Sequence, residues 1–289
     1  MNVATNWEDY ELIDASNGEK LERWNNIILL RPDPSIIWDV RNLEEEYSNI
    51  NAIYHRSNKG GGEWENLKQT PTRWEVKYKD LTFNIKQMGF KHTGLFPEQA
   101  FNWDFMMEKI ENSSRKIKVL NLFAYTGGAT VACLSKGAAV THVDSSRGMV
   151  DWCKENVKSS NLEDKEVRYL IDDVVKFVKR EIRRGNKYDA IVMDPPSYGR
   201  GANNEVWNIE KNLTELVELC TEILSDDPLF FIINSYTTGL SSTSLKNLIS
   251  LTVNKHKQGK ITSGELGLPI KNNDLILPCG IYGRWEKND

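Results

Sequence analysis

The sequence predicts an α/β protein: a parallel sheet with helices on both faces, preceded by a small strand-rich domain. Three observations carry this. From about Phe96 onward, short apolar runs alternate with longer amphipathic stretches, the pattern of strands joined by crossover helices. Before it, large and polar residues alternate with the period of strands and are punctuated by Pro and Gly. At 289 residues the chain has room for one large domain or two unequal ones and needs no disulfide or metal staple. The division is drawn between residues 1–93 and 94–289.

In the first part, residues 21–30 run into Arg31-Pro32-Asp33-Pro34, extended or turning because each proline biases its predecessor away from helix. Gly60-Gly61-Gly62 reads as a turn. Residues 73–78 and 81–86 alternate large and polar side chains around Lys79-Asp80 and form a predicted hairpin. Six of the nine tryptophans lie at or before Trp103. Stacking platforms for bases are one reading, but the core of a small β domain is the stronger one, since aromatics bury the most area per residue.

In the second part, strands are predicted at 117–123, 139–143, 167–171, 188–193 and 229–234. Helices are predicted at 129–136, 149–159, 174–184 and 213–224. A ligand then belongs beyond the carboxyl ends of the strands, and the informative residues fall there. The first strand ends in Phe123-Ala124-Tyr125-Thr126-Gly127-Gly128, where two glycines allow close backbone approach and open a helix. The GxGxxG of a dinucleotide fold is absent, which argues against a nicotinamide-dependent dehydrogenase. The second strand ends in Asp144-Ser145, where a carboxylate suits the two hydroxyls of a ribose; the competing reading is a helix N-cap. The third ends in Asp172-Asp173, with an adenine amine or a cap as partner. The fourth ends in Asp194-Pro195-Pro196-Ser197-Tyr198-Gly199. Two prolines stop the ladder and stiffen the chain, leaving rigid carbonyl acceptors beside a carboxylate, with an aromatic near enough to stack on a base.

These strings, NLFAYTGG, THVDSS, IDDVVKFV and MDPPSYG, resemble one class I methyltransferase family. It contains the bacterial large-subunit ribosomal-RNA cytosine-5 methyltransferases and their uncharacterised relatives. Thr93 to Gln99 resembles the family's lead into its first helix, and the 264–267 and 277–280 segments its closing antiparallel strands. The resemblance covers about residues 90 to 289 and implies a Rossmann-like sheet that binds S-adenosyl-L-methionine. By it, residues 123–128 cradle the methionine part, Asp144 takes the ribose and Asp173 the adenine. Asp194, Pro195 and Pro196 then face the acceptor, with Tyr198 stacking on it, and Asp194 is expected to border the cofactor as well. One departure matters: Asn234-Ser235-Tyr236 puts Tyr236 where the cytosine-5 enzymes carry a cysteine. Carbon-5 needs a thiolate to activate the ring, so attack by a nitrogen or oxygen is expected instead. Cys279, near the end of the chain, is the one candidate to substitute for that thiol, but a strand or loop cysteine is the stronger reading.

Charge does not point to nucleic acid by itself, since the net charge is −4 and the pI about 5.7. Lys176, Lys179, Arg180, Arg183 and Arg184 share one helix face, a phosphate patch or a solvated surface. Four widely spaced cysteines without a CxxC pair argue against a zinc site and suit a reducing compartment. The first 20 residues are too polar for a signal peptide and no apolar run is long enough for a membrane span. The expectation is a cytoplasmic enzyme acting on an RNA base. A small-molecule or protein methyltransferase, or a cofactor-binding RNA-assembly protein without catalysis, stands as the alternative.

Overall fold

The computed structural model describes residues 2–40, 47–57, 60–200 and 206–288. The chain forms two compact units: Asn2–Phe101 with Leu266–Cys279, and Asn102–Glu265 with Gly280–Asp289. The single cut drawn after residue 93 therefore differs from the division in the fold. The first unit runs on to Phe101 and also takes back a late segment, because two long strands near the end of the chain are shared.

In the N-terminal unit, β1 (Asn2–Val3) pairs in parallel with Leu266 and Gly267. A five-stranded sheet follows in simple order: β2 (Tyr10–Ser16), β3 (Glu19–Trp24), β4 (Ile27–Pro32), β5 (Ala52–Arg56) and β6 (Gly62–Asn66). Only the β4–β5 pairing is parallel. Asn17 and Gly18, both with positive φ (50° and 76°), make the tight turn from β2 to β3. The expected hairpin is β7 (Trp74–Tyr78) with β8 (Leu81–Ile85), turning at left-handed Lys79. Trp24, Tyr78 and Phe83 are fully buried, so the early aromatics of this unit build a core.

That core also encloses an ion pair. The Arg31 guanidinium grips Glu22 twice, Nε to Oε2 at 2.6 Å and Nη2 to Oε1 at 2.8 Å, and the Tyr10 hydroxyl donates to Glu22 Oε1 at 2.8 Å. Burial works to raise the Glu22 carboxyl, but the charges of Arg31 and Lys20 outweigh it and hold the group below its ordinary value.

The second unit opens with α1 (Ala100–Glu111), which begins at the boundary, and then alternates strand and helix. In order come β9 (Lys118–Leu122), α2 (Gly128–Ser135), β10 (Ala139–Asp144), α3 (Arg147–Ser159), β11 (Val167–Ile171), α4 (Val174–Arg184) and β12 (Ala190–Met193). A small hairpin, β13 (Tyr198–Arg200) and β14 (Val206–Asn208), interrupts the alternation. Then follow α5 (Ile209–Glu222), β15 (Phe230–Ser235), α6 (Ser242–Leu251), α7 (Val253–His256), β16 (Gly259–Pro269) and β17 (Ile276–Lys287). The hairpin explains why α5 starts at Ile209 and not at 213. Asn208, the last residue of β14, caps it by accepting from the Lys211 N–H at 3.2 Å.

The five parallel strands run β11-β10-β9-β12-β15; β17 pairs antiparallel with β15, and the strand order continues beyond it through β16 and β1. Chain order reverses between β9 and β12, so the crevice of this α/β sheet opens at their carboxyl ends. Ile191, Phe231 and Ile233 from the strands pack with Phe177, Val217 and Cys220 from α4 and α5 in the main core.

Arg31→Met should destabilise the protein by about 3–5 kcal/mol, because it leaves Glu22 charged and buried without its partner. Urea unfolding of the variant beside wild type measures the difference.

Candidate functional site

The strand registers line up the residues singled out in the sequence. Leu122 sits beside both Val143 and Met193, and Asp144 beside Ile171. The Asp172 N–H donates to the Asp144 carbonyl at 3.0 Å, and the Asp194 N–H to the Leu122 carbonyl at 3.4 Å. Four strand ends therefore present one continuous edge.

At its centre the backbone leaves β9 through a coil in which Phe123 (φ 53°), Tyr125 (φ 51°) and Gly127 (φ 83°) are all left-handed. A bulky aromatic in that region is an outlier that its surroundings must enforce. Three hydrogen bonds do so: Ala124 N–H to Val143 O at 3.1 Å, Tyr125 N–H to Asp144 Oδ2 at 2.9 Å, and Gly127 N–H to Ala124 O at 3.0 Å. Thr126 is buried, and its carbonyl accepts from Asn156 Nδ2 at 2.9 Å. The glycines are required by packing as well as by φ. A side chain at Gly127 would collide with the Cys153 sulfur, and one at Gly128 would come within 2.6 Å of the Trp103 ring. Gly127 caps α2 with no side-chain hydrogen bond, so the first turn of that helix offers its N–H groups to a ligand.

Beneath the coil lies a buried polar chain that the sequence reading missed. Asn121 Nδ2 donates to Thr130 Oγ1 at 3.0 Å, which lies 2.9 Å from His142 Nδ1; the Cys153 sulfur lies 3.4 Å from the same nitrogen. Burial lowers the His142 pKa to about 3, only partly offset by the Tyr125 backbone, so the imidazole is neutral. A lone polar pair, Thr141-His142, inside an otherwise apolar strand was the available signal; nothing marked Asn156.

Asp144 is half-buried, and its other oxygen accepts from the Ser146 N–H at 2.8 Å. The N-cap of α3 is Ser146, so Asp144 is not the cap of that helix. Burial pushes its carboxyl above the ordinary range, against the pull of the Ser146 and Tyr125 N–H groups. Two of its roughly four lone-pair positions are in use, and Ser145 beside it is exposed. Asp173 is the N-cap of α4, with Oδ1 accepting from Lys176 N–H at 2.8 Å, while Asp172 is ion-paired to Arg180. Both therefore have structural work beside any ligand.

Asp194 is half-buried, Pro195 buried and Pro196 exposed. The carbonyls after the prolines are less open than the sequence suggested. Trp207 Nε1 donates to Pro196 O at 2.6 Å, and Ile209 N–H to Ser197 O at 3.1 Å. Ser197 Oγ lies 2.7 Å from Thr237 Oγ1. Tyr198, at 53% exposure, stands at the base of the β13–β14 hairpin. Tyr236 lies against Gly280, where an added side chain would come within 2.8 Å of its ring. Cys279 is on β17 in the N-terminal unit; burial holds its thiol well above the ordinary value, so it is a poor thiolate source. On α4, Lys179 pairs with Glu215, Arg180 with Asp172 and Arg184 with Glu181, so much of that basic face is neutralised.

Residues 50–241 match the family described as S-adenosylmethionine-dependent methyltransferase. The chain belongs to that family. A solved S-adenosylmethionine-dependent methyltransferase from Agrobacterium tumefaciens is 33% identical, with TM-score 0.93, covering 98% of this chain and 92% of that one. Ribosomal RNA large subunit methyltransferase K/L of Syntrophotalea carbinolica is 27% identical over 71% of this chain and 29% of its own length. Ribosomal RNA large subunit methyltransferase K of Neisseria meningitidis is 24% identical over 80% and 65%. The chain thus spans less than two thirds of those two curated relatives. The edge fits the family's cofactor, S-adenosylmethionine: the free lone pairs of Asp144 match a diol, and the open start of α2 matches a carboxylate. Among the described residues no group of three or more His, Cys, Asp or Glu is placed to hold a metal, and no helix is long and apolar enough to cross a membrane.

Because the fold keeps His142 neutral, stability should fall as pH drops from about 6.5 towards about 3, by up to about 1.4 kcal/mol per pH unit from this group. The unfolded chain binds the proton in that window and the folded chain does not. His142→Gln should flatten the slope in denaturation measured across pH. The remaining acid dependence includes His92, lowered to about 4 chiefly by burial.

Proposed function

We propose that this protein methylates a base of RNA, most directly ribosomal RNA, at a nitrogen or oxygen and without a cysteine nucleophile. The observation that carries the reading is the pairing of Asp194-Pro195-Pro196 at the switch point with Tyr236 in place of a thiol. The likeness to two ribosomal RNA large subunit methyltransferases supports RNA as the acceptor class. Bound S-adenosylmethionine supplies an electrophilic methyl group whose leaving group is already activated.

The protein's own residues bind, orient and manage a proton. Residues 123–128 offer backbone groups to the methionine end, and Asp144 accepts the two ribose hydroxyls. Asp173 takes the adenine amine with the oxygen its cap leaves over, and Asp172 and Ser145 border the same place. Pro195 and Pro196 hold a rigid approach for the acceptor, and Tyr198 offers a stacking face. Asp194 orients the attacking nitrogen or oxygen and takes the proton that this atom carries, so that the methylated product is left neutral. Recognition of RNA rests on shape and stacking more than on charge, given the net charge of −4 and the ion pairs along α4.

Asp144→Asn should weaken donor binding about 10- to 100-fold in calorimetry, the scale of one or two charge-assisted hydrogen bonds. Asp194→Ala should still bind donor and lose about 10²–10⁴ in turnover on undermethylated large-subunit RNA with labelled donor. Labelling of protein or small molecules, and none of RNA, would replace the substrate class. An active Asp194→Ala would remove the assigned role.

A further inference from the structure

The β13–β14 hairpin places a residue at the junction of the two halves of the site that no motif marked. Its register pairs Gly199 with Trp207 and Tyr198 with Asn208. Directly opposed residues share a face and successive ones alternate. Trp207 and Gly199 therefore look one way, while Tyr198 and Asn208 look the other. The Trp207 face is turned towards the proline loop: a side chain added to Gly199 would meet Pro196 Cγ at 3.7 Å and Trp207 Cβ at 3.9 Å.

Trp207 makes two directed contacts there. Its ring packs on Phe123 with centroids 5.0 Å apart and planes tilted by 54°. Its Nε1–H donates to the Pro196 carbonyl at 2.6 Å. Phe123 is the first left-handed residue of the coil on which the donor sits, and Pro196 is the second proline of the acceptor loop. One half-buried side chain thus touches both. Neither proline has an N–H to donate, so at Pro196 the loop is held through its carbonyl, while Asp194 and Ser197 are tied to Leu122, Ile209 and Thr237.

We propose that Trp207 is a positioning residue: it couples occupation of the 123–128 coil to the conformation of the Asp194–Pro196 loop, so that filling the donor side further restrains the acceptor side. This rests on the reading that S-adenosylmethionine sits on the coil. Indole packing alone would fill space; the hydrogen bond to Pro196 is what transmits the restraint. A ring without N–H should therefore keep the fold and lose the coupling.

Hydrogen exchange read by mass spectrometry on the full chain, with and without saturating S-adenosylmethionine, tests this without needing the acceptor. In wild type, the donor should slow exchange at least threefold both in residues 121–131 and in residues 194–199. In Trp207→Phe, the slowing at 121–131 should persist with donor affinity within threefold of wild type, while that at 194–199 disappears. Should Trp207→Phe not fold, Trp207→His, which keeps a ring N–H, should retain part of the slowing at 194–199. Slowing at 194–199 that survives in Trp207→Phe overturns the proposal. So does wild-type slowing confined to 121–131, loss at both segments in Trp207→Phe, or Trp207→His with no slowing left at 194–199. Absence of slowing at 121–131 in wild type is a separate result: it removes the donor from the coil, and with it the reading on which the coupling rests.

Discussion

The site depends on the path by which the chain leaves β9. Three left-handed residues within five turn the backbone out of the sheet and into α2, and two of them carry aromatic side chains that resist that conformation. The strain is held by one carboxylate and one buried chain of polar groups. Asp144 binds the Tyr125 N–H from the end of the next strand, and Asn121, Thr130 and His142 fill the space below. The Asp144 oxygen that fixes the coil belongs to a carboxylate standing at the strand-end edge, with lone pairs left over beside its two backbone hydrogen bonds. Under the proposed function, binding surface and structural clamp are one group, and a change to either alters both.

Charge is arranged locally and closed on itself. In the N-terminal unit, Glu22 and Arg31 satisfy each other in an apolar setting, which is tolerable only because Tyr10 and Lys20 complete the shell. On α4, cations that would otherwise form a phosphate patch are matched by Glu215, Asp172 and Glu181. The described surface of that helix thus behaves as a solvated face with paired charges. Cys279 follows the same rule: burial keeps its thiol protonated.

Much of the second unit was legible because β9, β10, β12 and β15 are buried on both faces and the helices on one, two patterns that local sequence records directly. The order of β9, β10, β11 and β12 and the turns after them could be read off, as could the β7–β8 hairpin. The turn from β2 to β3 was equally available in Asn17-Gly18 and was passed over. The β13–β14 hairpin was hidden for a physical reason: its strands are three residues each, too short for a period to show, and the prolines before it suggested a simple loop.

The sequence by itself determined which residues stand at the strand ends, since residue type, apolar period and glycine placement are local properties. It could also name the departure at Tyr236. Only the tertiary structure decided what those residues touch. That Gly128 is glycine because of the Trp103 ring, that Asp173 is a cap and Asp172 an ion pair, and that Trp207 reaches both Phe123 and Pro196 all follow from contacts between distant segments. Such contacts leave no period in the sequence, because they are fixed by how strands and helices pack and not by the order of neighbouring residues.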